Sequence, residues 1–584
     1  MRFAVAAGIV GLRQGVMILS LLALTAGAAS AQMIFDGNVL YNNNASGTLS
    51  GQFVGTTSTG PLGVGFTPAQ LGTVTYTHNR YADPLLPTAS YQAGVRPNFQ
   101  PAAGSPAYTS ALKVPNDGWF TQTCYAGAIG PNPGDDWTQG WTYWDSTGAT
   151  RQDLHLTGMP EPRPTALYDN VAIYGHAHFS PDSNYLVRGQ LRIKSQASLT
   201  VPPGCVIFEE FATLGTIIAE RGGRLYAIGT ACDPIIITSD DAPGSFTRGH
   251  CGGIVLNGYA KTNVVNSCAG DSAASEGGAI GYFGGNNDAD DSGTLRYVRI
   301  EFAGKEITPN NELNSFTWNS CGSNTHGDYL QAYQGADDSF EWFGGTMSQK
   351  YLIGIDGTDD GYDWQLGTRN RAQFVICRPS SRFAPSGTQN GDKGIEADNW
   401  EFGFDELQCS GRSNCTLANF TIIGDKRVGP TFPGPTSGVN FRRGTAGTFI
   451  NSIVYNMKTA ALKIDDNATM QAHLAAPPTP PAVFCGSFAA VSPLATGSVL
   501  VARSLPNPFR NSVNFSFSLP QDGDVSVQVF GADGRLVSTV AEGRMAAGSH
   551  NLTWKLENDT PSGVYFYRVM ANGASATGKI TRVD

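Results

Sequence analysis

The sequence contains few charged residues: Asp, Glu, Lys and Arg make up 15% of its 584 residues, and its 48 acids outnumber its 38 bases. This balance argues against nucleic acid or an anionic membrane as a partner, because both attract basic surfaces. The sequence also lacks a stretch of about 18 apolar residues that could cross a bilayer. We therefore expect no nucleic-acid partner and no transmembrane segment.

The ten cysteines include no pair of closely spaced doublets, so the usual pattern of a structural zinc site is missing. In an exported protein, cysteines are expected to pair in disulfides. Cys205 and Cys232 are 27 residues apart, about one coil of a repetitive fold, and we expect a bridge between them. Two further bridges are predicted to close local loops, Cys251–Cys268 and Cys409–Cys415.

The first 31 residues have the pattern of a secretory signal peptide. Arg2 and Arg13 precede the apolar run 16–26, and Ala29-Ser30-Ala31 offers a cleavage site between small residues. Cleavage would change the formal net charge from −10 to −12, because two bases and no acids are removed. We predict that the mature chain begins at residue 32 and is secreted or held at the outer cell surface.

Two stretches of the chain match when one is shifted by 22 residues, 329–345 (YLQAYQGADDSFEWFGG) and 351–367 (YLIGIDGTDDGYDWQLG). A period in the low twenties is typical of a solenoid, whose coils cannot bury an apolar face alone. Leucine-rich repeats share the period, but their leucine pattern is missing, and propeller blades are about twice as long. The repeat therefore predicts a parallel β-helix that stacks the carboxylates of neighbouring coils.

From about residue 171, short apolar strands alternate with turns rich in Gly and Pro. Leu191, Ile193, Leu199 and Val201 alternate with polar residues, and a Pro-Pro-Gly turn follows at 202–204. No helical periodicity separates these strands, which argues against βαβ units. We predict an all-β protein with a β-helix over residues 171–470.

Several motifs follow one another in this region: 252–256 (GGIVL), 276–278 (EGG), 282–285 (YFGG), 295–304 (LRYVRIEFAG), 337–345 (DDSFEWFGG) and 396–399 (EADN). With them the sequence resembles a large group of secreted bacterial right-handed parallel β-helix proteins, over about residues 170–470. The resemblance implies the fold and export. The broader superfamily contains pectate lyases and polygalacturonases, so an enzymatic role stays open.

The regions that flank the predicted β-helix have different compositions. Residues 32–170 are rich in Gly, Thr, Asn, Ser and Pro, and we expect an irregular β-rich region. Its tryptophan-rich segment 117–142 is expected to cap an open end of the solenoid, or else to stack on glycans. Residues 471–498 contain the run Ala-Ala-Pro-Pro-Thr-Pro-Pro, which is typical of a stiff linker.

Residues 499–584 alternate apolar and polar residues in six or seven short strands separated by Gly and Asp turns, which predicts a β-sandwich. Its motifs include 507–509 (NPF), 525–530 (VSVQVF) and 563–567 (GVYFY). The module resembles the C-terminal sorting domains of type IX secretion cargo and the immunoglobulin-like domain of flagellar hook-capping proteins. The sorting interpretation fits better because a signal peptide precedes it, and it implies the export machinery as a partner.

The repeat places six acids on neighbouring coils, about 4.8 Å apart. Ionised carboxylates at this spacing repel unless calcium, raised pKa values, or backbone N–H groups and basic side chains compensate. Asp and Asn could also serve only to cap tight turns. The predicted calcium ligands are Asp337, Asp338, Glu341, Asp359, Asp360 and Asp363. Further acids and amides are expected on an earlier coil, at Asn286, Asn287, Asp288, Asp290 and Asp291.

No motif specifies a catalytic residue or a bound organic cofactor. The expected role is therefore non-enzymatic: surface structure, adhesion or binding of an extracellular glycan. The alternative is a polysaccharide lyase or glycoside hydrolase, which needs paired carboxylates or calcium with a nearby base. Additional candidates for that chemistry are Glu301, Lys393, Glu396, Arg442 and Arg443, none of which the sequence places at the acidic stack.

Overall fold

The computed structural model describes residues 33–583 with gaps, the longest of which are 56–77, 146–163, 380–392, 401–410, 426–435 and 470–501. The predicted signal peptide 1–31 and linker 471–498 lie outside the described residues. Described elements are almost all β-strands, with short 3-10 helices at Pro106–Tyr108, Tyr143–Asp145 and Phe211–Thr213. Among the described helices, none is long and apolar enough to cross a membrane.

Four strands precede the main body of the solenoid: β1 (Met33–Asp36), β2 (Val39–Tyr41), β3 (Phe53–Gly55) and β4 (Arg80–Tyr81). The strands of the main body are β5 (Thr165–Asp169), β6 (Ala172–Ile173), β7 (His176–His178), β8 (Asn184–Arg188), β9 (Gln190–Ile193), β10 (Ser198–Val201), β11 (Val206–Glu209), β12 (Thr216–Ala219), β13 (Arg224–Ile228), β14 (Ile235–Ser239), β15 (Ile254–Asn257), β16 (Ala273–Ala274), β17 (Tyr282–Phe283), β18 (Gly293–Glu301), β19 (Glu306–Thr308), β20 (Asn311–Glu312), β21 (Phe316–Asn319), β22 (His326–Tyr333), β23 (Phe340–Phe343), β24 (Ser348–Ile355), β25 (Tyr362–Gln365), β26 (Arg371–Arg378), β27 (Lys393–Ala397), β28 (Asn414–Ile423), β29 (Ser437–Phe441), β30 (Ala446–Ile450), β31 (Ile453–Tyr455) and β32 (Ala460–Ile464).

Two long parallel sheets, of 17 and 11 strands, run along the solenoid. Each coil of the repeat contributes one long strand to the first sheet and one short strand to the second. Leu330 pairs with Leu352 in the first sheet, and Trp342 pairs with Trp364 in the second. The 22-residue repeat is therefore one coil, and the predicted parallel β-helix is confirmed.

The long strands bend around a corner at a residue with positive φ. At four successive corners this residue is aromatic, with φ between 49° and 62°: Tyr297, Tyr329, Tyr351 and Phe374. Bulky side chains rarely adopt this conformation. Their rings stack from coil to coil with centroids 4.5, 4.4 and 5.1 Å apart, a favourable contact that offsets the strain.

The interior of the solenoid is filled by side chains that alternate with outward-facing ones along each strand. In the second sheet Trp318, Trp342 and Trp364 are almost fully buried. The rings of Trp318 and Trp342 stack at 4.8 Å, and Trp342 stacks on Tyr362 at 4.1 Å. The residues next to each tryptophan on the same strand, such as Glu341 beside Trp342, therefore face outward.

The N-terminal strands pair with the last strands of the solenoid and so extend its C-terminal end. β1 pairs in parallel with β30, β2 with β31, and β3 with β32. Phe35 stacks on Phe449 at 5.3 Å, as a further coil would. The sequence predicted only an irregular β-rich region here, because pairing partners some 400 residues apart leave no local signal.

The tryptophan-rich segment lies along the flank of the solenoid rather than over an end. Trp137 packs 5.3 Å from Tyr351, and Trp141 packs 5.6 Å from Tyr297. Trp141 is 1% exposed, so its ring is no platform for glycan stacking. The segment instead covers the aromatic corner of several coils.

The predicted bridge between Cys205 and Cys232 is wrong. Cys205 is buried in the core whereas Cys232 is exposed, and neither is in a disulfide. The two local bridges are also wrong, because Cys251 and Cys415 are buried thiols outside any disulfide. Their sulfurs instead face backbone oxygens: Cys251 Sγ lies 2.9 Å from the carbonyl oxygen of Glu301. The register pairs Val206 with Ile236, which places Ile235 rather than Cys232 beside Cys205, and Cys232 lies in the loop before β14.

The C-terminal module consists of two antiparallel sheets. Its strands are β33 (Ala502–Leu505), β34 (Ser512–Leu519), β35 (Gly523–Gly531), β36 (Leu536–Met545), β37 (Gly548–Lys555), β38 (Gly563–Ala571) and β39 (Ala574–Arg582). Three strands pair in the order β33-β34-β37 and four in the order β36-β35-β38-β39. Its own apolar core includes Phe515, Val527 and Trp554. The antiparallel sheets agree with the predicted sandwich; the immunoglobulin-like topology stays a prediction.

Candidate functional site

The predicted acids lie along the outer side of the 11-stranded sheet and at the turns that lead into it. Glu341, Asp363 and Glu396 occupy successive rungs of one outward column, on β23, β25 and β27. Asp338 and Asp360 precede β23 and β25 by two residues. The parallel register thus brings residues from three coils to one place; the repeat predicted the first two of these coils, and Glu396 belongs to the third.

Two of the acids cap backbone groups on the next coil. Asp338 Oδ1 accepts the N–H of Asp360 at 2.8 Å, and Asp360 Oδ1 accepts the N–H of Lys393 at 2.7 Å. Both carboxylates are buried. One oxygen of Asp338 and one oxygen of Asp360 therefore act as turn caps, which was the alternative to calcium binding.

The carboxylates approach one another closely enough to share a cation. Three groups have one oxygen from each member, all within 4.8 Å of one another: Asp337, Asp338 and Asp359; Asp338, Glu341 and Asp363; Asp360, Asp363 and Glu396. The six predicted residues are all among them. Glu396 joins the cluster and was only an additional candidate from the sequence.

Three basic residues border the cluster on its upper coils. Lys393 Nζ lies 2.7 Å from Glu396 Oε2 and 3.5 Å from Asp360 Oδ2. Arg442 binds Glu396 and also Asp398, whose oxygen lies 2.7 Å from Arg442 Nε. Arg443 Nη1 lies 2.5 Å from the other oxygen of Asp398. The sequence could not place these residues, because the insertion before β27 breaks the 22-residue period.

Burial and mutual repulsion raise the pKa values of acids in the cluster. The pKa of Asp338 is raised well above its usual range by burial and by the carboxylate of Asp360. Burial raises the pKa of Asp363 to about 7; Asp360 adds to this, while Arg442 and Lys393 oppose it. The cluster therefore holds protons near neutral pH unless a cation replaces them.

Asn314 is a member of the site that sequence reasoning missed. Its Nδ2 donates to Glu341, and Gln365 donates to the other oxygen of Glu341 at 3.2 Å. A signal was present: residues 314–318 (NSFTW) match 338–342 (DSFEW) at a shift of 24 residues. This earlier, neutral copy of the repeat places an amide where later coils have carboxylates.

The remaining sequence candidates lie in other contacts. Asp288 pairs with Arg369 at 3.0 Å and with Lys261 at 3.3 Å. Asp291 pairs with Arg224 at 3.0 Å. Asn287 N–H donates to the carbonyl oxygen of Tyr259, Ser292 Oγ donates to Asp290 Oδ2 at 2.9 Å, and Asn286 is exposed at a bend. Glu301 forms a buried pair with Arg299 at 2.6 Å and is also outside the cluster.

The oxygens of the cluster fit a hard divalent cation. Calcium takes six to eight oxygen ligands from carboxylates, amide carbonyls and water. Asp363 Oδ1 and Asn314 Oδ1 are buried oxygens without a hydrogen-bond partner among the described residues. Such oxygens are costly to bury unless a donor or an ion meets them.

The parallel coils and the C-terminal module define a secreted β-helix protein. Residues 172–479, more than half of the chain, match the pectate-lyase like beta helix domain, and the chain belongs to this family. Residues 505–582 match the secretion system C-terminal sorting domain, so the protein is secreted or displayed at the cell surface. No curated protein and no solved structure matches the chain.

Proposed function

We propose that this protein is a non-enzymatic β-helix of the outer cell surface whose acidic stack binds calcium. The observation that carries the proposal is the close approach of Asp338, Glu341 and Asp363, whose oxygens lie within 4.8 Å of one another. Two ionised carboxylates about 4.8 Å apart repel by about 3 kcal/mol at an effective dielectric constant of 20. A bound calcium ion removes this repulsion and ties neighbouring coils together.

Calcium suits the site better than the other common divalent ions. Every side-chain donor in the cluster is a carboxylate or amide oxygen, with no imidazole or thiolate, which disfavours zinc and copper. Magnesium requires a near-ideal octahedron, whereas calcium tolerates irregular oxygen sets. Calcium sites of extracellular modules bind in the range of about 0.1–1 mM, which suits an exported protein.

A melting experiment tests calcium binding. Because the ion binds the folded state, 100 times its Kd stabilises the protein by about 2.7 kcal/mol. Millimolar calcium added to chelator-treated protein should raise the Tm, and Asp363→Asn should blunt that rise. Asp288 pairs with Arg369 outside the cluster, so the Tm of Asp288→Asn should rise with calcium as the wild-type Tm does. An equal Tm in chelator and calcium would contradict the proposal.

The surface role is proposed to be structural or adhesive, with an extracellular glycan as the partner. The support is a long solenoid joined to a sorting domain, which displays the outer faces of many coils outside the cell. A glycan array probed with the mature chain tests this partner. Binding that is absent in both calcium and chelator would restrict the role to surface structure.

The second candidate is a polysaccharide lyase or glycoside hydrolase. One observation favours it: the pKa of Asp363 is raised to about 7 by burial, in a site that also holds Lys393 and Arg442. An inverting glycosidase needs one protonated carboxyl, and a lyase needs a base beside an acidic sugar. Release of reducing ends or unsaturated uronates from a polysaccharide panel, abolished by Asp363→Asn, would favour this candidate over the first.

A further inference from the structure

The three carboxylate groups of the stack differ in the positive charge around them. We name them the outer triad (Asp337, Asp338 and Asp359), the middle triad (Asp338, Glu341 and Asp363) and the upper triad (Asp360, Asp363 and Glu396). Neighbouring triads share Asp338 or Asp363, so an ion bound at one triad affects the next. Asp337 and Asp359 are only half-buried, so the outer triad stays hydrated and is the weakest of the three sites.

The upper triad already contains a cation of the chain itself. Lys393 Nζ lies 2.7 Å from Glu396 Oε2 and 3.5 Å from Asp360 Oδ2, and its side chain is only 8% exposed. Arg442 also binds Glu396. An ammonium group at these distances occupies the position of a metal ion, and it repels any divalent ion that approaches the same oxygens.

The middle triad has acceptor oxygens in need of a partner. Asn314 is 1% exposed, and its Nδ2 donates to Glu341, so its amide group lies at the triad. Asn314 Oδ1 and Asp363 Oδ1 are buried and have no hydrogen-bond partner among the described residues. Four further carboxyls surround Asp338, those of Asp337, Asp359, Asp360 and Asp363, so this part of the stack is rich in negative charge.

From this contrast we infer that Lys393 is a built-in cation that takes the place of a second calcium ion. The wild-type chain then binds one calcium ion, at the middle triad, with Asn314 as a neutral oxygen ligand. The inference rests on the proposed calcium binding and specifies where along the stack the ion lies. It also gives Lys393 a role that requires no catalysis.

Calorimetric titration of the chelator-treated mature chain with calcium tests the inference. We expect one ion per wild-type chain and two per Lys393→Gln chain, because the substitution empties the upper triad while keeping its acids. Lys463→Gln is the matched control. Lys463 lies two rungs beyond Glu396 in the same column and pairs with Asp465 at 2.9 Å, and this variant should bind one ion.

Unchanged stoichiometry and Kd in Lys393→Gln would overturn the inference. Should that variant misfold, Glu396→Gln provides an independent test, because it removes an acid from the upper triad and leaves the middle triad intact. It should keep one calcium ion with a Kd within threefold of the wild type; complete loss of binding would place the ion at the upper triad instead. A wild type that binds no calcium, together with a Lys393→Gln variant that binds one, would refute the proposed function alone.

Discussion

The second sheet carries two stacks on the same strands, one inside and one outside. Inside, Trp318, Trp342 and Tyr362 stack with centroids 4.8 and 4.1 Å apart. Outside, Glu341 and Asp363 lie on successive rungs at the same strand spacing. One register thus sets the distance between rings and the distance between carboxylates.

That common spacing has opposite consequences for the two stacks. Aromatic rings attract at centroid distances of about 4.5–7 Å, so the inner stack stabilises the coils without help. Carboxylates repel at this distance, so the outer stack is stable only with protons, basic side chains or a metal ion. A repeat that is favourable inside therefore creates a demand for positive charge outside.

The largest effect is expected from the inner stack. Trp342→Ala removes a ring that is 1% exposed and contacts the coil on either side, and such substitutions cost about 3–5 kcal/mol. Denaturant unfolding should show this loss equally in calcium and in chelator, because the inner stack needs no ion. Trp342→Phe, which keeps a ring, should lose less. A loss that appears only in chelator would mean that the two stacks are not independent.

A somewhat smaller change in stability is expected from the outer stack, and its sign should differ between chelator and calcium. The double variant Glu341→Gln and Asp363→Asn removes two repelling charges and keeps one side-chain oxygen at each position, so one of the two hydrogen bonds that Glu341 accepts is lost. In chelator above pH 7, where Asp363 of the wild type has lost its proton, the variant should be more stable than the wild type by up to about 3 kcal/mol. In calcium it should be the less stable protein, because the ion loses two ligands. If it is less stable in both, repulsion is not what the site must overcome.

The repeat made the fold and the acidic stack predictable from the sequence. Identical spacing of Tyr329 and Tyr351, and of Asp338 and Asp360, fixes a register, and register fixes which residues meet. The basic residues were not predictable, because Lys393 lies beyond an insertion that changes the coil length. The length of an inserted loop does not determine the register in which the next strand pairs.

The ends of the solenoid were less predictable than its middle. Phe35 joins a core whose nearest coil contains Phe449, and a contact across that separation has no periodic signature. Cys205 and Cys232 illustrate a second limit. Their spacing of 27 residues suggested one coil, but Val206 pairs with Ile236, so this coil is 30 residues long and Cys232 lies in the loop before β14, where it is exposed.

A single buried acid far from the stack separates the effect of burial from that of repulsion. Glu209, on β11, is fully buried, and its Oε2 accepts the N–H of Gly253 at 2.7 Å. Burial raises the pKa of Glu209 to about 8, and only hydrogen bonds oppose this. Asp338 and Asp363 differ from it in having carboxylates as neighbours, which add to the effect of burial.

The smallest effect, expected at Glu209, follows from the sign of this shift. The folded chain keeps the proton up to about pH 8, whereas the unfolded chain loses it near pH 4.5, so folding takes up a proton between these values. The contribution of Glu209 to stability is therefore greatest in acid and falls by about 1.4 kcal/mol per pH unit between pH 4.5 and pH 8. Urea unfolding at pH 6 and pH 7, in chelator, should show this slope reduced in Glu209→Gln.

Glu210→Gln is the neighbouring control, because hydrogen bonds from Thr213 and Arg188 lower the pKa of Glu210 and its contribution has the opposite sign. An identical pH dependence in the wild type and in Glu209→Gln would show that burial alone does not hold a proton in this solenoid, and the raised pKa values of the stack would then have to come from repulsion.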